Sequence, residues 1–258
     1  MSAPSGEQFE LVDGDRRVVA VEVGGGLRTY TCGGRDVLLG YGEDELCGSA
    51  RGQVLVPWPN RIAEGRYVWE GEELQLPLDE LSSGSAIHGL VRWRSWHAVE
   101  REEARIALEH VLRPRPGYPF ALRVRVEYRL EERGLVVATE AENVGTRACP
   151  FGAGHHPYVA APDGVDALVL EGEPVGERRL DETEHRPGGW RVRAGDVTVW
   201  ADASWPWLQL FTGDLPDIRR RGLAVEPMTC PPQAFRTGEG VLRLEPGETF
   251  RGTWGIDD

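Results

Sequence analysis

Lysine is missing from this chain of 258 residues, so its 29 cationic side chains are all arginine. They lie among 42 acidic residues, giving a formal net charge of −13 and a pI near 5.0. Nucleic-acid binding needs clustered cations, and the sequence reads as having no basic face. Long apolar runs are also lacking: no stretch approaches the roughly 18 residues of a membrane span. Residues Met1 to Glu7 carry neither a basic n-region nor an apolar h-region, so no secretory signal is expected. Cysteine is scarce. Cys32, Cys47, Cys149 and Cys230 lie too far apart for zinc or redox motifs, so free thiols in a reducing cytoplasm are expected. No HxH, HExxH or CxxC spacing occurs, and no glycine-rich phosphate loop links a strand to a helix. No metal and no cofactor are therefore expected.

The pattern that is present is that of strands. Phe120, Leu122, Val124, Val126, Tyr128 and Leu130 share one parity, and Arg123, Arg125, Glu127 and Arg129 share the other. Side chains alternate faces along a strand, so this stretch predicts a half-buried β-strand. Glu131-Glu132-Arg133-Gly134 predicts a hairpin into Leu135–Asn143. Similar turns fall at Asp13-Gly14-Asp15, Gly33-Gly34 and Glu70-Gly71, and Gly24-Gly25-Gly26 reads as a turn or bulge. Further strands are predicted at Val165–Leu170, Val197–Ala201, Trp207–Phe211, Gly222–Met228 and Phe250–Ile256. With 33 Gly, 18 Pro and no sustained 3.6-residue period, long helices are excluded. The expected fold is all-β, an antiparallel sandwich or barrel, with residues 1–258 forming a single domain.

Four segments carry candidate chemistry. In Val56-Pro57-Trp58-Pro59-Asn60-Arg61-Ile62, two prolines stiffen a loop that presents Trp58, Asn60 and Arg61. Such a loop suits a polyhydroxylated ligand, by stacking and charged donors; an ordinary connection with a packed Trp is the plainer reading. In Ile87-His88-Gly89, a His beside a Gly permits close ligand approach, although a His satisfied by backbone groups is commoner. In Gly154-His155-His156-Pro157-Tyr158 the two histidines should face opposite ways, with Tyr158 on the face of His156. One of the two suits a general acid while the other packs. In Gly222–Met228, Leu223 and Val225 share one parity, and Ala224 and Glu226 the other. Glu226 reads either as a strand-end acid in water or as a general base at a cleft.

Taken in order, Val56–Ile62, Ile87–Gly89, His156–Tyr158 and Glu226–Pro231 resemble the VPWPNRI, IHG, HPY and EPMTCP motifs of the aldose 1-epimerase (galactose mutarotase-like) family, in its bacterial branch. The resemblance runs from about Val18 to Ile256. It implies a large antiparallel β-sandwich that interconverts the anomers of a free aldose without a cofactor. It assigns His156 as acid and Glu226 as base, with Arg61 and His88 binding the sugar. Asn60, Trp58 and Tyr158 join them as candidate sugar contacts, Trp58 by stacking on the ring. The partner implied is a monosaccharide, handled by a cytoplasmic monomer or homodimer. The family's hydroxyl-binding Asp, in an Asp-His-x-Phe-like segment, has no counterpart here. The Glu171–Gly195 stretch is shortened, Asp181 is the nearest substitute, and a more open sugar site is expected. A carbohydrate-binding sandwich without turnover is the main alternative, and the presence of both His156 and Glu226 argues against it. A purely structural or partner-binding sandwich does not predict four motifs in this order. Related branches take neutral hexoses, hexose 6-phosphates or a sulfonated sugar; Arg92 and Arg94 are candidates for an anionic group, although solvated strand arginines are the commoner case.

Overall fold

The computed structural model describes residues 3–258. Every pairing between its strands is antiparallel. The alternating stretch forms the strand Leu122–Glu131, whose even-numbered residues are buried from Leu122 to Leu130. It pairs with Gly134–Asn143 across the expected hairpin. Both belong to a nine-stranded sheet that also holds Arg105–Leu112, Thr249–Asp257, Val197–Ala201 and Trp190–Ala194.

A six-stranded sheet packs against it, in the order Asp181–His185, Trp207–Phe211, Gly222–Met228, Gly154–His155, Val54–Leu55, with Tyr158–Ala160 also on Gly222–Met228. One buried cluster draws on both sheets, including Val124, Val137 and Trp254 from the first and Leu208, Leu223 and Val225 from the second. Truncating a fully buried leucine such as Leu223 to alanine costs about 2–5 kcal/mol. The two sheets are also pinned by His155, whose Nε2 lies 2.8 Å from the Thr139 hydroxyl and whose ring packs on Trp205 and Trp254. A four-stranded sheet, Gln8–Asp13 to Arg35–Asp36, covers the N-terminal part with the expected turns. The one α-helix among the described residues is the four-residue Ala234–Thr237.

One predicted strand is corrected. Val165–Leu170 is not continuous: Val165–Ala167 forms a 3₁₀ turn, and only Val169–Leu170 is a strand. Gly164, at φ 88°, reverses the chain after Pro162-Asp163, and the Ala167 and Leu168 N–H groups are then spent on local carbonyls.

Candidate active site

The sequence of Gly222–Met228 makes its two faces unequal. Leu223 and Val225 enter the main core, whereas Ala224 packs with Tyr158 and Ile218 on the other side. Glu226 lies on that second face and is 2% exposed, so it is not a strand-end acid in water. The neighbouring chain pairs with this strand in two pieces, Gly154 opposite Met228 and Tyr158 opposite Ala224. His156 falls midway and therefore opposite Glu226, where cross-strand side chains meet. Pro157, without an N–H, interrupts the ladder at this point. The His156 Nε2 lies 3.4 Å from Glu226 Oε1. As the parity predicts, His155 points into the core and His156 away from it, its ring stacked on Tyr158 at 4.9 Å.

The loop 56–62 and the 87–89 segment lock together beside this pair. Asn60 and His88 both adopt left-handed backbone, φ 53° and 59°. The Asn60 N–H donates to His88 Nδ1 at 3.2 Å, and the His88 N–H donates to the Asn60 carbonyl at 2.9 Å. With Nδ1 accepting, the neutral His88 ring carries its proton on Nε2. Gly89 (φ 74°) lies so close to Val56 that a Cβ would sit 2.1 Å from its carbonyl oxygen. This approach fixes the height of His88 beside His156, with ring centroids 5.2 Å apart.

These elements enclose a cavity of about 380 Å³ whose wall carries Asn60, Arg61, His88, His156, Tyr158 and Glu226. Six of the seven residues proposed from sequence thus converge. Trp58 does not. It is 1% exposed, packs on Phe235 at 5.7 Å and does not line the cavity. The flanking prolines turn it inward as a core anchor under the loop. The tryptophan on the wall is instead Trp93, 45% exposed, with the Arg92 guanidinium 5.5 Å from its ring.

Sequence reasoning also missed the acids that hold the arginines. Arg61 makes a two-pronged pair with Glu80 at 2.6 and 2.8 Å, and Arg92 pairs with Asp79 at 2.9 Å. Neither acid falls in a motif; both sit in a loop that folds back over the strand Ser85–Ile87. Arg94 does not line the cavity. The 171–195 region supplies the cavity with a carboxylate, that of the substitute named from the sequence. Asp181 lines it, accepting from Gln209 Nε2 at 2.7 Å.

Burial dominates the electrostatics. It pushes His156 down to about 3, with the Arg92 and Arg61 charges acting the same way. His88 is driven well below its usual value by burial and by the neighbouring His156. Glu226 is driven well up, first by burial and then by the negative charge of Asp181, with Arg61 opposing. Each member of the His156–Glu226 pair is thus pushed toward its neutral form. A neutral imidazole beside a neutral carboxyl holds the same protons as an imidazolium beside a carboxylate. One proton shift across the 3.4 Å gap interconverts them. Glu226 Oε2 and His156 Nδ1 have no hydrogen-bond partner among the described residues. Buried polar atoms left so are uncommon, and both residues line the cavity, where a bound ligand can complete them. No group of three or more His, Cys, Asp or Glu among the described residues could hold a metal ion. No helix there is long and apolar enough to cross a membrane.

Comparison with known proteins fits this geometry. The family model for aldose 1-epimerase matches residues 7–171, a span that includes Arg61, His88 and His156. The uncharacterised protein YihR of Escherichia coli K12 is 34% identical over 286 residues, covering 96% of this chain and 92% of its own. Among solved structures, the GalM/aldose epimerase homologue of C. elegans superposes with a TM-score of 0.81 at 16% identity, covering 97% and 98% of the two chains. A galactose 1-epimerase from Lactobacillus acidophilus gives 0.76 at 18% identity, covering 95% and 92%. The structural likenesses establish a galactose mutarotase-like fold, and the match over most of the sequence establishes kinship: the chain belongs to the aldose 1-epimerase family.

Proposed function

We propose that this protein is a mutarotase that interconverts the α and β anomers of a neutral free aldose by general acid–base catalysis. The observation that carries the reading is the His156–Glu226 pair, side by side on the cavity wall at 3.4 Å with one atom of each unpartnered. The hydroxyl and ring oxygens of a hemiacetal share one carbon. The groups that serve them must therefore be neighbours rather than stand on opposite walls.

In the working state Glu226 is a carboxylate and His156 an imidazolium. Glu226 takes the proton of the C1 hydroxyl while His156 delivers one to the ring oxygen, and the C1–O5 bond breaks to give the aldehyde. Rotation about C1–C2 and reclosure on the other carbonyl face return both protons. Ring opening leaves both groups neutral, the state that burial favours, so the site assists charge annihilation in the barrier step. Each positioned group contributes about 10²–10⁴-fold. Arg61, His88 and Asp181 orient the hydroxyls, and Trp93 offers a face for the apolar side of the ring. No step requires a cofactor.

Neutrality of the sugar follows from the charges on the wall. Arg61 is committed to Glu80 and Arg92 to Asp79, whereas Asp181 has no cation within ion-pair distance among the described residues. An anionic substrate would meet Asp181 and Glu226, and arginines that each already hold an acidic partner. The test is anomer exchange by saturation-transfer NMR over neutral, phosphorylated and sulfonated aldoses. Exchange well above the buffer rate is expected for neutral sugars. The absence of any acceleration with all of them would overturn the activity, and preference for an anionic sugar would overturn the specificity.

A further inference from the structure

One turn carries the supports of His156. The His156 N–H donates to the Gln53 carbonyl at 3.2 Å, and its carbonyl accepts from the Gly52 N–H at 2.9 Å. Its ring stacks on Tyr158 at 4.9 Å, and the Tyr158 hydroxyl in turn donates to the Ser49 carbonyl at 3.3 Å. Each of these supports comes from, or ends on, residues 48–53. The height and tilt of the imidazole beside Glu226 therefore follow the position of that turn.

The turn is an unfavourable one. Ser49 and Ala50 are both left-handed, φ 52° and 54°. That conformation is costly for residues with a Cβ and persists only where the surroundings impose it. Inside the turn, Arg51 Nε donates to the Gly48 carbonyl at 3.2 Å and the Gln53 N–H to the Ala50 carbonyl at 3.0 Å. From outside, Asp217 holds it. The Ser49 hydroxyl lies 2.7 Å from each oxygen of the Asp217 carboxylate, and a Cβ on Gly48 would sit 2.4 Å from Asp217 Oδ2. Asp217 is exposed and does not line the cavity. Its neighbour Ile218 is fully buried and packs with Tyr158 and Ala224. Both residues belong to the connection 212–221, which leads into the strand Gly222–Met228 that bears Glu226. The connection that delivers the base is thus tied to the turn that carries the acid.

We propose that Asp217 is a positioning residue: by holding Ser49 it fixes the turn that supports His156 and Tyr158, and so keeps the His156 ring aimed at Glu226 and the ring oxygen of the sugar. The role rests on the mutarotase reading above. It requires that Asp217 act on the acid from outside the cavity, with no contact to the sugar.

The test compares Asp217→Ala and Asp217→Asn with the wild type, using anomer exchange for kcat and KM and NMR of the His156 imidazole for its surroundings. Asp217→Ala removes the acceptor. It should lower kcat about tenfold, less than the about 10²-fold of a full ångström of misplacement, with KM within about twofold. The His156 resonances should shift. Asp217→Asn keeps one acceptor for the Ser49 hydroxyl and should recover most of kcat. In the His156→Asn background the acid is already gone, so Asp217→Ala should add less than about twofold. An unchanged kcat for Asp217→Ala, a rise in KM in place of the loss in kcat, or losses that multiply in the double variant would overturn the role. Should Asp217→Ala fail to fold, Ser49→Gly serves. Glycine accepts the left-handed turn but lacks the hydroxyl, so the same loss of kcat is expected and an unchanged kcat overturns the role. If the wild type exchanges no anomers, the mutarotase reading fails and the His156 resonances still decide. A shift in Asp217→Ala that Asp217→Asn reverses supports the link, and unmoved resonances overturn it.

Discussion

His155 and His156 are neighbours in sequence, are both buried, and are both pushed by burial to about 3. They nevertheless belong to two different regions. His155 lies between the sheets, its Nε2 paired with the Thr139 hydroxyl and its ring enclosed by Trp205 and Trp254. His156 lies on the cavity wall, with Nδ1 unpartnered and a buried carboxylate opposite. A depressed pKa is therefore common to a packing histidine and to a candidate acid. What separates them is incomplete hydrogen bonding and the charge across the strand. Trp58 and Trp93 repeat the contrast: one indole is sealed in the core, the other faces the cavity.

The largest expected effects break these pairs apart. His156→Asn should lower kcat by about 10²-fold or more with little change in unfolding midpoint, since the amide cannot protonate the ring oxygen. His155→Ala should do the reverse. It should cost about 2–4 kcal/mol of stability, read by urea titration, while the folded fraction keeps near wild-type kcat. In the same way Trp58→Ala should cost about 3–5 kcal/mol of stability. Trp93→Ala should leave the midpoint nearly unchanged and raise KM by about threefold.

Two smaller effects concern pH. His88, His155 and His156 all have pKa values lowered from 6.5 in the folded state. The unfolded chain therefore binds more protons at these positions once the pH drops below about 6.5. Stability should fall progressively from there toward about pH 3, and urea midpoints at pH 7 and 5 check this. Glu226, raised, contributes in the opposite sense, but it is one group against these three and His110, which burial also lowers. Activity has its own dependence. The groups facing Glu226 are His156, Asp181 and Arg61. The working pair holds one proton, so kcat should fall as pH rises through the raised pKa of Glu226, where that proton is lost and His156 has none to deliver. Asp181→Asn removes a like charge and should move that limb to lower pH, visible in a kcat–pH profile.

Much of this arrangement was legible in the residues. Alternation gave Leu122–Glu131, and parity alone placed His155 and His156 on opposite faces and set Glu226 apart from Leu223 and Val225. Those are properties of the backbone period, which a sequence displays directly. The strand Trp190–Ala194 was equally readable, with strict alternation of buried and exposed residues, and was overlooked. Arg105–Leu112 was not readable in that way, because Ile106, Ala107 and Leu108 are buried in succession. The inward turn of Trp58 depends on Phe235, far along the chain, and the Glu80 and Asp79 partners of the arginines on how one loop folds back. Gln209 had a signal, an amide inside an apolar strand, but its place beside Asp181 depends on a register that only the paired strands define. Asp181 was named from sequence as the nearest substitute, and the same register explains how it reaches the cavity.

The account turns on Glu226 as the base. The most direct measurement is anomer exchange of a neutral aldose by saturation-transfer NMR, comparing wild type with Glu226→Gln at matched folded concentration. Gln preserves the shape and one acceptor but cannot take up the C1 proton. The account predicts that kcat falls by about 10²-fold or more while Kd for the sugar changes little. A near-wild-type kcat in folded Glu226→Gln protein would contradict it.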